Sequence, residues 1–277
     1  MSLPKTYVFG AGKVGRALTA ALRRAGERVT SRAARRGWPE RRLDAGLVVL
    51  AVRDPRIGAE AEALLGSGAL PSGAAVVHCA GSRGPEALAS LADAGVPVAQ
   101  MHPLLAFASS THPPGLRGAT LHLRGDPVAV RRARALGERL GMRPTELPNL
   151  SLELYHAAAA LLANGAIGLA AGSAQLLTTG GCPPAEIPAL LGPLLRSVAD
   201  NLEQLGLPQA LTGPVRRGDA DAVRAHRARL VRDAPGLVAL YDAAARAQLP
   251  LARALGEAAP EQFDACQGAL SATSERP

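Results

Sequence analysis

Aromatic residues are scarce in this chain: they make up 3% of 277 residues, as one Trp, three Tyr and three Phe. A core must therefore be filled by Leu, Val and Ala, and a hydrophobic content of 48% is enough to build one. Lysine is scarcer still. Only Lys5 and Lys13 are lysines, so nearly all of the 31 basic residues are arginine, and the formal net charge is +8. A basic chain suits nucleic acid, a membrane surface or small anions. No basic and aromatic residues interleave as base stacking requires, so the sequence points away from nucleic acid and toward a small anionic ligand. The three cysteines, Cys79, Cys182 and Cys266, are far apart and odd in number. Their spacing excludes a disulfide framework and a metal site, and a reducing, cytoplasmic setting is expected. No signal peptide is read, since Met1 to Thr6 leads straight into a strand. No uninterrupted apolar run looks long enough for a bilayer. The Ala-rich run from Ala157 is interrupted by Asn164 and Gly165, is expected to be a packed helix, and predicts no membrane partner.

What is present is an alternation. The strand pattern TYVF is followed by a glycine turn and then by a helix with apolar residues at Val14, Ala17, Leu18, Ala21 and Leu22. ERVT, AGLVVLAV, AAVVHCAG, VPVAQMH and ATLHLRG read as further strands, with helical patterns around Ile57 to Leu65 and Pro85 to Ala94. Alternating strands and helices predict an α/β fold with a doubly wound, mostly parallel sheet. The pattern stops near PTELPN. Beyond it the chain reads as helices over 151–179, 183–206, 218–233 and 235–249, with a loose tail from about Ala259. The expected domains are 1–148, dinucleotide-binding, and 149–277, helical.

Gly10-Ala11-Gly12-Lys13-Val14-Gly15 is a GxGxxG stretch. Its place between the first strand and the first helix makes it specific. Gly10 permits the tight turn, Gly12 lets backbone approach a pyrophosphate, and Gly15 lets helix and strand pack closely. The helix N-terminus, at Lys13 and Val14, offers free N–H groups to the anion. Lys13 either reaches the phosphates or lies on the helix surface. An NAD site carries Asp or Glu about 20 residues beyond the glycines. This chain has Thr30-Ser31-Arg32 instead, then Arg35 and Arg36. A hydroxyl and a guanidinium suit a 2′-phosphate, so NADP(H) is the expected cofactor, held by Ser31 and Arg32. Arg35 and Arg36 fit a solvated cluster equally well.

Ligands of such sheets lie beyond the carboxyl ends of the strands. Val52 and Arg53 follow the third strand, on the path to the nicotinamide. HCAGSRG follows the fourth. Its Ser82 and glycines suit a substrate anion, while His78 reads as a strand-end residue bonded to backbone. His102, in MHPL after the fifth strand, fits either a substrate contact or a structural role.

The motifs GAGKVG, HCAGS, MHPLLAF, LYHAAAALLANG and ALTGPVRRGD together resemble an uncharacterised family. That family pairs a Rossmann-like NAD(P)-binding domain with a helical domain of unknown function. It is related to the 6-phosphogluconate dehydrogenase-like and ketopantoate reductase-like oxidoreductases. MHPL also weakly resembles the HPM segment of prephenate dehydrogenases. The resemblance implies a two-domain oxidoreductase with its cleft between the domains, often a homodimer through the helices. It also exposes a departure, because the relatives' catalytic lysine on the first long helix after the sheet is missing.

That helix offers His156 and Asn164 instead. They are eight residues apart, roughly 80° around the helix and about 12 Å along it, so both can look into one cleft. His156 is the candidate general acid for a carbonyl oxygen, and Asn164 a partner to substrate or carboxamide. In ALTGPVRRGD, Thr212, Arg217 and Asp219 are expected at the substrate side. Arg217 suits a bidentate grip on a carboxylate, and Asp219 either caps the next helix or orients a neighbour. The expected reaction is reduction of a 2-oxo acid of the ketopantoate type. A prephenate-type oxidation, or a dinucleotide sensor without turnover, are the alternatives.

Overall fold

Four short aliphatic runs form the centre of one sheet. In the computed structural model, which describes residues 4–271, they are β1 (Thr6–Phe9), β3 (Leu47–Leu50), β4 (Ala75–His78) and β5 (Val98–Pro103). With β2 (Val29–Arg32), β6 (Thr120–Gly125) and β7 (Arg143–Glu146) they make a seven-stranded sheet in the order β2-β1-β3-β4-β5-β6-β7. All neighbouring pairs are parallel except β5 with β6. The doubly wound, mostly parallel Rossmann sheet expected from the alternation is therefore observed. One strand is additional: β7 lies in a segment read as the end of the pattern. Its sequence RPTE carries no apolar alternation and sits at the sheet edge, so nothing local marked it.

Both faces of the central strands are buried, as a parallel sheet requires. Side chains alternate across it with period two. Val8, Val49, Val77 and Met101 join one cluster, with Leu18 and Leu22 of α1 (Lys13–Arg24) and Ala133 and Leu136 of α4 (Pro127–Arg139). Tyr7, Phe9, Val48, Leu50 and Val76 face the other way, onto Ile57 and Leu64 of α2 (Ile57–Gly66) and Leu91 of α3 (Ala89–Asp93). The single Trp, Trp38, stacks on Phe9 at 3.7 Å between ring centroids. Asp126 caps α4, its carboxylate accepting from the Val128 and Ala129 amides.

The helical part comprises α5 (Leu152–Thr179), α6 (Ile187–Leu205), α7 (Ala220–Asp233), α8 (Val238–Leu255) and α9 (Pro260–Ser271). By its contacts the chain divides into compact units 1–163 and 164–277, so the division falls inside α5. The long helix read over 151–179 is observed: α5 runs for 28 residues through Asn164 and Gly165, because the Ala and Leu around them outweigh a glycine penalty of about 1 kcal/mol. Two details differ from the sequence reading. First, α5 is not packed within the chain. Its most apolar stretch has a mean hydropathy of 1.5, is long and apolar enough to cross a membrane, and is 6% buried. Second, the expected loose tail is helical as far as Ser271. Phe263, Cys266, Ala269 and Leu270 of α9 are buried against Val223 of α7 and Leu249 of α8. Residues 272–277 of that tail lie outside the described residues.

Phe263 is 2% exposed at the centre of this packing. Phe263→Ala is expected to destabilise the protein by about 3–5 kcal/mol, the usual cost of emptying a buried aromatic site. The check is the urea midpoint; an unchanged midpoint would mean that α9 does not contribute to the core.

Candidate active site at the carboxyl edge of the sheet

The glycine turn leaves β1 where the strand order reverses, between β1 and β3. Gly10 has φ +125, and a Cβ placed there would lie 2.2 Å from the Ala51 carbonyl oxygen. A Cβ on Gly15 would lie 2.0 Å from the Gly10 carbonyl oxygen, so helix and turn can meet only through glycine. Gly12 is different: nothing lies within 4 Å of where its Cβ would stand. It is exposed and forms the N-cap of α1 with no side-chain cap, so the first N–H groups of α1 face outward unclaimed by a side chain. Two close contacts and one open face are what a dinucleotide cradle needs. Lys13 is exposed at the mouth of the turn, and Val14 packs its side chain toward the core.

At the end of β2, Ser31 is exposed. Arg32 is already engaged: its guanidinium donates to the Gly37 and Arg36 carbonyls at 2.7 and 2.9 Å. It thereby shapes the loop that presents Arg35 and Arg36, both exposed. Val52 is half-buried and Arg53 exposed where β3 ends.

The loop after β4 is pinned from every side. His78 is fully buried, with Nδ1 accepting from the Ala80 amide at 3.2 Å and Nε2 at 2.9 Å from the Gly84 carbonyl. That pairing puts the proton on Nε2 and makes His78 the backbone-bonded strand-end residue read from the sequence. Gln100 is also buried; its amide donates to the Ala80 and Gly81 carbonyls, while its Oε1 has no partner. Ser82 donates to the Asp54 carboxylate at 3.0 Å, joining this loop to the one after β3. Cys79, between them, has its thiol pushed up to about 12, by burial first and then by Asp54.

His102 lies against this loop. A Cβ on Gly81 would stand 2.8 Å from the His102 ring, so glycine makes room for it. Its Nδ1 is 2.9 Å from the Tyr155 hydroxyl, and the two rings meet edge-on at 5.5 Å. Behind them is His122, paired with His102 across β5 and β6 and 5.2 Å from the Tyr155 ring. His122 is 1% exposed, and among the described residues neither of its ring nitrogens has a partner at full hydrogen-bond geometry. Burial is the main cause holding His102 down at about 4; the nearby His156, His122 and His78 add to it, against Asp54. Four of the six histidines thus share one neighbourhood. Burial also pushes Tyr155 up to about 12, so at neutral pH this couple is a neutral imidazole and a protonated phenol.

His156 is exposed one residue beyond Tyr155, and Asn164 is exposed further along α5. In the second unit, Arg216 rather than Arg217 is tied down, by two bonds to Glu257 and two to the Gln209 and Leu211 carbonyls. Arg217 and Thr212 are exposed. Asp219 caps α7, accepting from the Ala222 amide at 3.0 Å, so the capping role is the one seen. The sequence reading had no place for His122 and gave Tyr155 no role. His122 lies in a strand of ordinary alternation, and only the sheet register sets it opposite His102. Among the described residues no group of three or more His, Cys, Asp or Glu is placed to hold a metal ion.

Residues 119–248 match the family described as a domain of unknown function, DUF2520. The match starts just before β6 and ends within α8. No curated protein matches the chain. Among solved structures, the chain is similar to a Bacteroides fragilis protein described as a candidate NADP oxidoreductase, at 22% identity and a TM-score of 0.65, over 89% of this chain and 98% of that one. It is similar to a Thermotoga maritima protein at 23% identity and 0.66, over 91% and 99%. A Plasmodium falciparum pyrroline carboxylate reductase with NADP bound aligns at 12% and 0.61, over 92% and 99%. At these identities the likeness establishes the Rossmann fold followed by helices.

The histidine cluster has a signature in stability. His102, and to a lesser degree His78 and His122, have pKa values below those of an unfolded chain. A depressed pKa contributes stability that is fully present above the unfolded value, about 6.5, and is lost as pH falls toward the folded value. The urea midpoint is expected to fall between about pH 6.5 and pH 4, and His102→Asn to flatten that fall. An unchanged slope would show that His102 is not held neutral.

Proposed function

We propose that the protein is a cytoplasmic NADP(H)-dependent oxidoreductase acting on a small carboxylate-bearing carbonyl, a 2-oxo acid of the ketopantoate type. The observation that carries this is that the Gly10–Gly15 cradle and the His102–Tyr155 couple lie at the same carboxyl edge of one sheet. The cofactor, when bound, supplies the hydride. The chain's residues do the rest. Gly10, Gly12 and Gly15 leave room for the pyrophosphate, and Ser31 with the loop that Arg32 braces receives the 2′-phosphate. Val52 and Arg53 flank the path along the edge. The tie from Ser82 to Asp54 and the amide of Gln100 fix the loop that receives the reacting carbon.

Protonation states divide the labour. Tyr155 and His102 hold fixed neutral forms around pH 7 and position substrate by hydrogen bonding. His156, exposed beside them, is assigned proton donation to the carbonyl oxygen, a role imidazole fills near neutral pH. In the second unit Arg216 is committed to Glu257, while Arg217 and Thr212 are exposed, and Asp219 acts by fixing the start of α7.

The exposed apolar faces of α5 and α6 belong to the same reading. Leu190, Leu194, Val198 and Leu202 recur every four residues on α6 and are 39–60% exposed. Leu161, Leu162 and Ile167 of α5 are 66–79% exposed. We assign this surface to a second copy of the chain, which makes the working form a homodimer. Sedimentation is expected to show a dimer, and Leu194→Glu with Val198→Glu a monomer; a wild-type monomer would reject the assignment.

The test of activity is NADPH oxidation, with NADH as control, on a panel of 2-oxo acids including ketopantoate. Turnover is expected to prefer NADPH. His156→Ala is expected to lower kcat by about 10²–10⁴, the usual range for a general acid. Tight NADPH binding without turnover would favour a dinucleotide sensor, the reading that the absence of any lysine beyond Lys13 supports.

A further inference from the structure

A groove of about 820 Å³ runs along β2, the free edge of the sheet, and is walled on its other side by the segment from Ala33 to Asp44. Lys5 and six arginines line it, against two carboxylates, Glu27 and Asp44. Five of the chain's eight surplus positive charges are therefore gathered on one short surface. Both carboxylates are already neutralised, Asp44 by Lys5 and Glu27 by Arg139. Among the described residues, the side chains of Arg28, Arg35, Arg36, Arg41 and Arg42 make no hydrogen bond or ion pair, and all five are exposed.

The dinucleotide accounts for only one end of this groove. Its phosphates belong at the carboxyl ends of the strands. Arg28 precedes β2 and Lys5 precedes β1, so both stand at the amino ends. Four residues of strand, about 10 Å at 3.3 Å per residue, separate the two ends. One 2′-phosphate cannot reach both. A chain of phosphates can.

We propose that this groove binds the phosphate backbone of single-stranded nucleic acid, separately from the dinucleotide site. Guanidinium forks pair with phosphate oxygens two at a time, and a row of them tracks a backbone without reading bases. The groove offers no exposed aromatic platform: Tyr7 is 6% and Trp38 half-exposed against Phe9, so contact is through phosphate alone. An acidic protein partner fits less well, since protein interfaces centre on apolar anchors and Leu43, the large aliphatic side chain at the groove, is 7% exposed.

The experiment is fluorescence anisotropy of a labelled, mixed-sequence single-stranded RNA of about twenty nucleotides, longer than the roughly 4–16-nucleotide sites of single-strand binders. It uses the full chain with saturating NADPH present. Binding is expected to survive NADPH and to weaken with salt. The log–log slope should be about −3, the value for four phosphates at about −0.7 each. The triple variant Arg28→Ala, Arg41→Ala, Arg42→Ala is expected to lose about tenfold in affinity and to flatten the slope, with NADPH binding retained as proof of folding. No binding at low salt, displacement by NADPH, an unchanged triple variant, or equally tight binding of polyglutamate would each overturn the proposal.

Discussion

The carboxyl edge of the sheet depends on one close approach, that of Gly10 to the carbonyl of Ala51. It is possible only because neither Gly10 nor Gly15 carries a Cβ, and it brings β1, β3 and the start of α1 together. The loops that follow β3 and β4 are tied to one another beside it. The loop after β3 supplies Asp54, Asp54 holds Ser82, and Ser82 lies in the loop on which His102 rests.

A second principle is that polar groups are spent on loops. His78, Gln100 and Arg32 each use their side chains on backbone carbonyls or amides rather than on ligands. Side chains so employed rigidify the ends of strands, where an open α/β sheet leaves its binding crevice. The same division recurs in the helical unit. Arg216 and Asp219 fasten the turn before α7, and Arg227 pairs with the buried Asp242. Among the described residues, Arg217 and Thr212 carry no such bond.

The sheet and the cradle were legible in the sequence because period-two burial and glycine spacing are local signals. Gly10, Gly12 and Gly15 lie within six residues; close backbone contacts require glycine at Gly10 and Gly15, while Gly12 leaves an open face. The couple of His102 with Tyr155 was not legible, since 53 residues separate them and only the fold brings them together. His122 depends on cross-strand register, which a single sequence does not display. The role of Arg32 was half legible: its position at the end of β2 could be read, but its commitment to the Gly37 and Arg36 carbonyls could not. The helical tail was missed because PEQFDACQGAL buries its apolar residues against two other helices rather than along an obvious stripe. The exposed length of α5 was missed for the opposite reason, since its composition reads as core.

Cys79 has a consequence for chemistry from outside. Its sulfur stands in the same loop as Ser82, yet burial and the Asp54 carboxylate keep it in the thiol form. Alkylation, oxidation and disulfide exchange all proceed through thiolate. Thiol-directed reagents are therefore expected to react with Cys79 more slowly than with an unperturbed cysteine.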